Sequence, residues 1–215
     1  MFCQRCVQSA ARSSPLILFA GTGHGSKDLK SFVRAASASD NPPALVHSGS
    51  GTVRHLVGEL FSARTKIKFN MVPYKGSAPA LVDVAAGLVV GHFATLASGA
   101  SLLSAGKITA VAVTGQRWMD TPRMRNVPTL TELGIKDLEV TQWWALVAPS
   151  TTPIVQLERL RLEALAALAH ESVQSRMLTL GVDLKGRTRY ELRSFMRSES
   201  ERWQSVARGI GLQPQ

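Results

Sequence analysis

Cysteine is nearly absent. The 215 residues hold two, Cys3 and Cys6, in a lone C-x-x-C at the extreme N-terminus. Without a strand-helix context or a second pair, neither a redox dithiol nor a zinc site has its remaining parts. Long apolar runs are missing too: none approaches the roughly 20 residues that a helix needs to cross a bilayer. The stretch that follows Arg5 and Arg12, Leu16 to Ala20, is too short for the apolar region of a secretory signal. Acidic residues are scarce, 15 against 25 Lys and Arg, which gives a net charge of +10. That excess favours acidic partners, whether nucleic acid, anionic lipid or small anions, and does not choose among them. The densest basic group, Lys185, Arg187, Arg189, Arg193, Arg197 and Arg202, is interleaved with Glu191, Glu199 and Glu201. Arg189, Arg193 and Arg197 recur every four residues, as on one solvated helix face.

What is present is ordinary globular material, 45% hydrophobic and 19% charged, in a chain long enough for one substantial domain or two small ones. From Pro15 to Thr114 short strands alternate with helices. Strands are expected at 16 to 20, 44 to 47, 67 to 73, 89 to 94 and 108 to 114, and helices at 28 to 37, 53 to 63, 79 to 86 and 97 to 104. The order is that of an α/β fold, and the nearly continuous apolar runs suit strands covered on both faces. Thr129 with Glu132 predicts a capping box that opens a short helix ended by Gly134. Val140 to Ala148 reads as a further strand. Pro149 to Pro153 marks a boundary, after which Thr152 and Pro153 open a helix striped by Leu157, Leu160, Ala164, Leu165 and Leu168. Two more helices follow, the last opened by a Thr188/Glu191 capping box.

Two strand-to-helix junctions carry the chemistry. Val72-Pro73-Tyr74-Lys75-Gly76-Ser77-Ala78-Pro79-Ala80 breaks from a strand at a Gly-Ser turn and runs straight into a helix. The first amides of that helix lack intrahelical partners and carry the positive end of the helix dipole, so the turn suits a carboxylate or phosphate. The same grammar stands at Ala44-Leu45-Val46-His47 followed by Ser48-Gly49-Ser50-Gly51-Thr52. Gly21 to Lys27 is like a phosphate loop, but Ser26 stands where the motif has its second glycine. Ser50 lies near a nucleophile-elbow pattern, but Ser48 takes the place of its first glycine. His47 and His55 are candidate bases, His92 belongs in a buried strand and His170 at a helix C-terminus.

Ser48-Gly49-Ser50-Gly51-Thr52 with His55-Leu56 and Gly58-Glu59-Leu60-Phe61, then Val72 to Ala80, then Ser104-Ala105-Gly106-Lys107 before Ala110 to Thr114, stand in an order and spacing that resemble one family. It is the substrate-binding proteins of tripartite tricarboxylate transporters, the Bug family. Val127-Pro128-Thr129, Glu132-Leu133-Gly134, Trp144, Ala148-Pro149, Glu201-Arg202-Trp203 and Gly211 to Pro214 extend the likeness. The resemblance implies a type II periplasmic-binding-protein-like α/β fold. Its second lobe would span 15 to 146 and be nearly complete; 147 to 215 would be the helical part of a partial first lobe, and 1 to 14 a non-family segment. It implies a receptor that is not an enzyme, uses no cofactor or metal, binds no nucleic acid, acts as a monomer in the periplasm, and delivers a small carboxylate to membrane permease subunits. By position, Ser50, Gly51, Thr52, Lys75, Gly76, Ser77 and Ala78 would bind the ligand, and His55 would make a structural hydrogen bond.

Departures from the family pattern include Val90, Ala94 and Thr95, where acidic and amide residues are common, and the lack of a Pro-Gly-Gly jaw before Pro15. They imply an N-terminally truncated chain, extending to a non-functional fragment, that would be cytoplasmic if its start is genuine. The alternatives are a serine-type hydrolase acting through Ser50 and a basic nucleic-acid-binding protein acting through the last helix.

Overall fold

A computed structural model describes residues 12–115, 121, 124–149, 151–184 and 188–211. Cys3 and Cys6, Lys185 and Arg187, and the closing 212–214 lie outside them. The chain forms two units: one is Pro15–Gln142, and the other comprises the described parts of Met1–Ser14 and Trp143–Gln215.

The first unit is built on a five-stranded sheet of β2 (Ile17–Gly21), β3 (Ala44–His47), β4 (Asn70–Pro73), β5 (Gly91–Ala94) and β6 (Ile108–Val113), in the order β4-β3-β5-β2-β6. β3 runs parallel to both β4 and β5, whereas β2 is antiparallel to β5 and β6. Four helices connect the strands: α1 (Leu29–Ser37), α2 (Val53–Thr65), α3 (Ser77–Ala85) and α4 (Leu96–Ser104). α2 packs on β3, β4 and β5, while α3 packs on β2, β3 and β5 and against α4. β2 is fully buried along its length, as its unbroken apolar run requires.

The alternation of side chains along the strands sorts the core into two layers. Phe93 of β5 meets Phe61 of α2 edge-on at 5.5 Å, and Phe32 of α1 and Phe69 complete an aromatic cluster. Ile17, Phe19 and Val46 pack instead with Ala80, Leu81 and Val84 of α3 and Leu96 of α4. Where β5 enters the sheet there is no room for a side chain. A Cβ on Gly91 would lie 2.9 Å from the Phe19 carbonyl oxygen and 3.2 Å from the Phe32 ring.

β1 (Arg12–Pro15) and β7 (Thr141–Trp144) form a two-stranded sheet, and the second unit continues with three helices, α5 (Ile154–Ala169), α6 (Glu171–Thr179) and α7 (Arg189–Gly209). Trp143 meets Phe195 edge-on at 5.5 Å, and Leu192 is fully buried beside Ala145, Phe195 and Met196. The Thr188/Glu191 capping box forms.

Four local expectations change here. Thr129 and Glu132 exchange the two capping-box bonds, but Gly134, at φ 85°, closes the chain after a single turn and no helix follows. Thr152 does not cap α5; Pro153 holds that position without a side-chain bond. The 140 to 148 strand is confined to Thr141–Trp144, and within the α5 stripe Leu157 is buried whereas Leu160 is 47% exposed.

Gly91→Ala is expected to destabilise the protein by about 1–3 kcal/mol, since the added methyl overpacks against backbone that has no alternative position. Urea unfolding measures this, and a loss below ~0.5 kcal/mol would show that the β2–β5 contact is slack.

Candidate functional site

The connections out of β3 and β5 leave in opposite directions. From β3 the chain crosses by α2 to β4 at one edge, and from β5 it crosses by α4 to β6 at the other. In an open α/β sheet the crevice outside the carboxyl ends of two such strands is where ligands bind. Both junctions singled out in the sequence end up here. His47 and Pro73 are register partners at the ends of β3 and β4, and the Tyr74 N–H donates to the His47 carbonyl at 2.8 Å. The turns 48–52 and 74–76 therefore lie side by side.

The second turn is the more open. Gly76 stands before α3 at φ 109° and ψ 175°, a region that only glycine occupies without strain. No side chain caps α3, and Pro79 has no N–H to offer. The amides of Gly76, Ser77 and Ala78 have no protein acceptor among the described residues. Tyr74 Oη donates to Asp83 Oδ2 at 2.6 Å, which ties the turn to the middle of the helix it precedes and raises the phenol pKa above its ordinary value. Lys75 and Ala78 are exposed, and Ser77 is half-buried.

The first turn is more self-contained. The Gly51 N–H donates to His55 Nδ1 at 3.1 Å and the Thr52 N–H to the Gly49 carbonyl at 3.3 Å. Thr52 Oγ1 donates to Gly49 O at 2.7 Å and accepts from the His55 N–H at 3.4 Å. Gly51 and Thr52 thus shape the turn, and Ser50, exposed at its tip, keeps its hydroxyl free of protein partners among the described residues. His55 makes the expected structural bond. With Nδ1 accepting, its other nitrogen faces Glu59 Oε1 at 3.5 Å.

Behind the turns lies a cluster of titratable groups. His47 is 2% exposed, stacks on His55 with ring centroids 4.2 Å apart, and leaves Nδ1 without a partner among the described residues. Burial holds its pKa below the usual histidine range. His92 of β5 is completely buried, with Nδ1 2.8 Å from the Val46 carbonyl and Nε2 2.9 Å from Ser77 Oγ. Burial, reinforced by repulsion from Arg54 and His47, lowers its pKa to about 4 against the pull of the Val46 carbonyl. Ser77 and His92 have the spacing of a nucleophile and its base, but a base so weak removes a proton poorly near neutral pH.

Arg54, in the first turn of α2, was missed by the sequence reading. Among the described residues its buried Nε has no partner and no carboxylate pairs with it, while its Nη1 reaches Ser48 Oγ at 3.4 Å. Burial lowers its pKa. A half-buried guanidinium beside the first of these turns supplies positive charge that the glycine and serine pattern alone does not.

The alternatives lose ground on the same geometry. In the 21 to 27 loop the helix that would receive a phosphate is already capped, because Asp28 Oδ1 accepts from the Ser31 N–H at 2.7 Å. Ser50 has no histidine within hydrogen-bonding reach among the described residues. No group of three or more potential metal ligands occurs among the described residues, and no helix there is long and apolar enough to cross a membrane. His170 lies at the end of α5, where its Nδ1 meets Ser172 Oγ at 2.9 Å. Ala94 and Thr95 are buried at the end of β5, and Thr95 Oγ1 meets Ser98 Oγ at 3.0 Å.

Comparison with known proteins agrees with this architecture. The family model described as "Tripartite tricarboxylate transporter family receptor" matches residues 6–212. A UPF0065 protein encoded in the tcbD-tcbE intergenic region of Pseudomonas sp. strain P51 is 31% identical over 198 residues, covering 91% of this chain and 58% of its own length. Protein BugT of Bordetella pertussis is 29% identical over 92% of this chain and 60% of its own. The chain therefore spans about three-fifths of the length of these relatives. Among solved structures, R. palustris Rpa4515 with adipate superposes with a TM-score of 0.88 at 28% identity, covering 98% of this chain and 70% of that one. A receptor-family match along nearly the whole chain, on a periplasmic-binding-protein fold, means that this protein belongs to the tripartite tricarboxylate transporter receptors, the Bug family.

Proposed function

We propose that the chain captures a small organic carboxylate in the periplasm without changing it chemically and delivers it to the membrane permease subunits of a tripartite tricarboxylate transporter. Ser50, Gly76, Ser77, Ala78 and the neighbouring Lys75 hold the ligand, Gly51 and Thr52 shape the first turn, and Arg54 supplies the counter-charge. The observation that carries this reading is the juxtaposition of three unpartnered amides at α3 with a half-buried guanidinium that has no carboxylate of its own among the described residues. Donors fixed in place before the ligand arrives lose little entropy on binding it. Family membership and the adipate held by Rpa4515 support a carboxylate in particular. A weak buried base at Ser77, and no base bonded to Ser50 among the described residues, support binding over turnover.

A thermal-shift series with succinate, adipate and citrate tests the proposal. Saturation at a hundredfold excess over Kd adds about 2.7 kcal/mol, so at least one acid is expected to raise Tm by several degrees. A folded protein whose Tm none of them moves would refute carboxylate capture. Arg54→Met keeps most of the side chain's volume and removes its charge. It is expected to weaken binding about 10- to 100-fold, the range of a charge-assisted hydrogen bond, while leaving the unliganded protein at least as stable, because a desolvated cation has been removed. Unchanged affinity would take Arg54 out of the site.

The buried histidines add a pH dependence. His92 has a folded-state pKa of about 4 against 6.5 unfolded, so the unfolded chain binds its proton first as pH falls. Stability is full above pH 6.5 and declines through the window from 6.5 to about 4, by roughly 3 kcal/mol from this residue. His47, also depressed, acts in the same direction. Urea midpoints between pH 7.5 and 4 measure this, and a profile that stays flat or rises on acidification would contradict it.

A further inference from the structure

The contact between His92 and Ser77 has a fixed direction. His92 Nδ1 lies 2.8 Å from the Val46 carbonyl, a group that only accepts, so the ring N–H is on Nδ1. In a neutral ring Nε2 is then a lone pair, and Ser77 Oγ, 2.9 Å away, must donate its proton to it. A second proton would place charge on a ring with no solvent exposure, in the field of Arg54 from α2 and His47 from β3. The fold accommodates the neutral ring. Ser77, the first residue of α3 and half-buried, therefore offers its remaining valence as an acceptor only.

This gives the mouth of α3 two polarities. The amides of Gly76, Ser77 and Ala78 donate and suit carboxylate oxygens, whereas the Ser77 hydroxyl, its proton already committed, would face a carboxylate oxygen as one acceptor against another. A ligand satisfies both only if it brings an O–H or N–H of its own. A cationic ammonium is disfavoured by the Arg54 guanidinium, which pairs with no carboxylate among the described residues; that leaves a neutral donor, of which a hydroxyl is the simplest.

We propose that this site prefers hydroxy carboxylates to unsubstituted carboxylates of the same length, with Ser77 as the discriminating acceptor and His92 the residue that positions it. The inference rests on the receptor reading and narrows it. Succinate and malate differ by one hydroxyl, so calorimetric titration of the folded protein with succinate and with each enantiomer of malate at pH 7.5 isolates that group. The better enantiomer is expected to bind about 3- to 10-fold more tightly than succinate, the net effect of one neutral hydrogen bond. Ser77→Ala should collapse that ratio to about 1 through loss of malate affinity alone. Equal affinities in the unmodified protein, or a Ser77→Ala variant that loses both acids alike, overturn the preference while the receptor reading stands. Failure of succinate, malate, adipate and citrate all to bind removes both. Independently of any ligand, 15N spectra of the His92 ring at pH 7 should show a protonated Nδ1 and a bare Nε2, and an Nε2–H tautomer or an imidazolium would overturn the assignment.

Discussion

Parallel pairing of β3 with both of its neighbours is the constraint on which the rest depends. It aligns the ends of β3 and β4 so that two separate turns emerge together, and it sets β5 on the other side so that His92 lies against Val46. Parallel strands require crossover helices, and each crossover begins with a turn whose amides point outward. One sheet geometry therefore produces both the donors and their convergence. The side chains then adjust what those donors see: Arg54 adds charge, Tyr74 ties down α3, and the His92–Ser77 bond sets the direction of one hydroxyl.

The two turns also divide their labour. At 48–52 the hydrogen bonds are mostly internal, with Gly51 held by His55 and Thr52 by Gly49, so this turn is stiff. At 74–78 glycine takes a conformation closed to other residues, and three amides have no protein acceptor among the described residues. An internally bonded turn beside amides without protein acceptors among the described residues would let a ligand bind at little cost in ordering.

The α/β order and both junctions were legible because Gly, Ser and Pro punctuate them and the apolar runs between have clear periods. β3 falls at 44–47 as read, and α3 begins two residues before the expected 79 because a helix can start ahead of a proline in its first turn. β4 begins at Asn70, since Ile67 and Phe69 are apolar for the core and not for pairing. The Thr129/Glu132 pattern gave its two bonds without a helix, because capping chemistry needs only one turn to close. What the sequence concealed were contacts made by the crossovers. Ser77 and His92 are 15 residues apart and meet only once α3 has folded back over the sheet. Arg54, in a helix of mixed polarity, reads as one more solvated cation until the fold covers its stem. Burial of His92 could be anticipated from its apolar strand; the partner at its far nitrogen could not.

Asp28 gives the open start of α3 its contrast. At α1 the carboxylate of Asp28 accepts from the Ser31 N–H at 2.7 Å, the position an acidic solute would otherwise take. The chain thus caps one helix start with its own carboxylate, whereas Gly76 before α3 brings no side chain to cap the other. On the proposed reading, the residue type at the cap would decide whether a helix start is closed by the chain itself or offered to a solute.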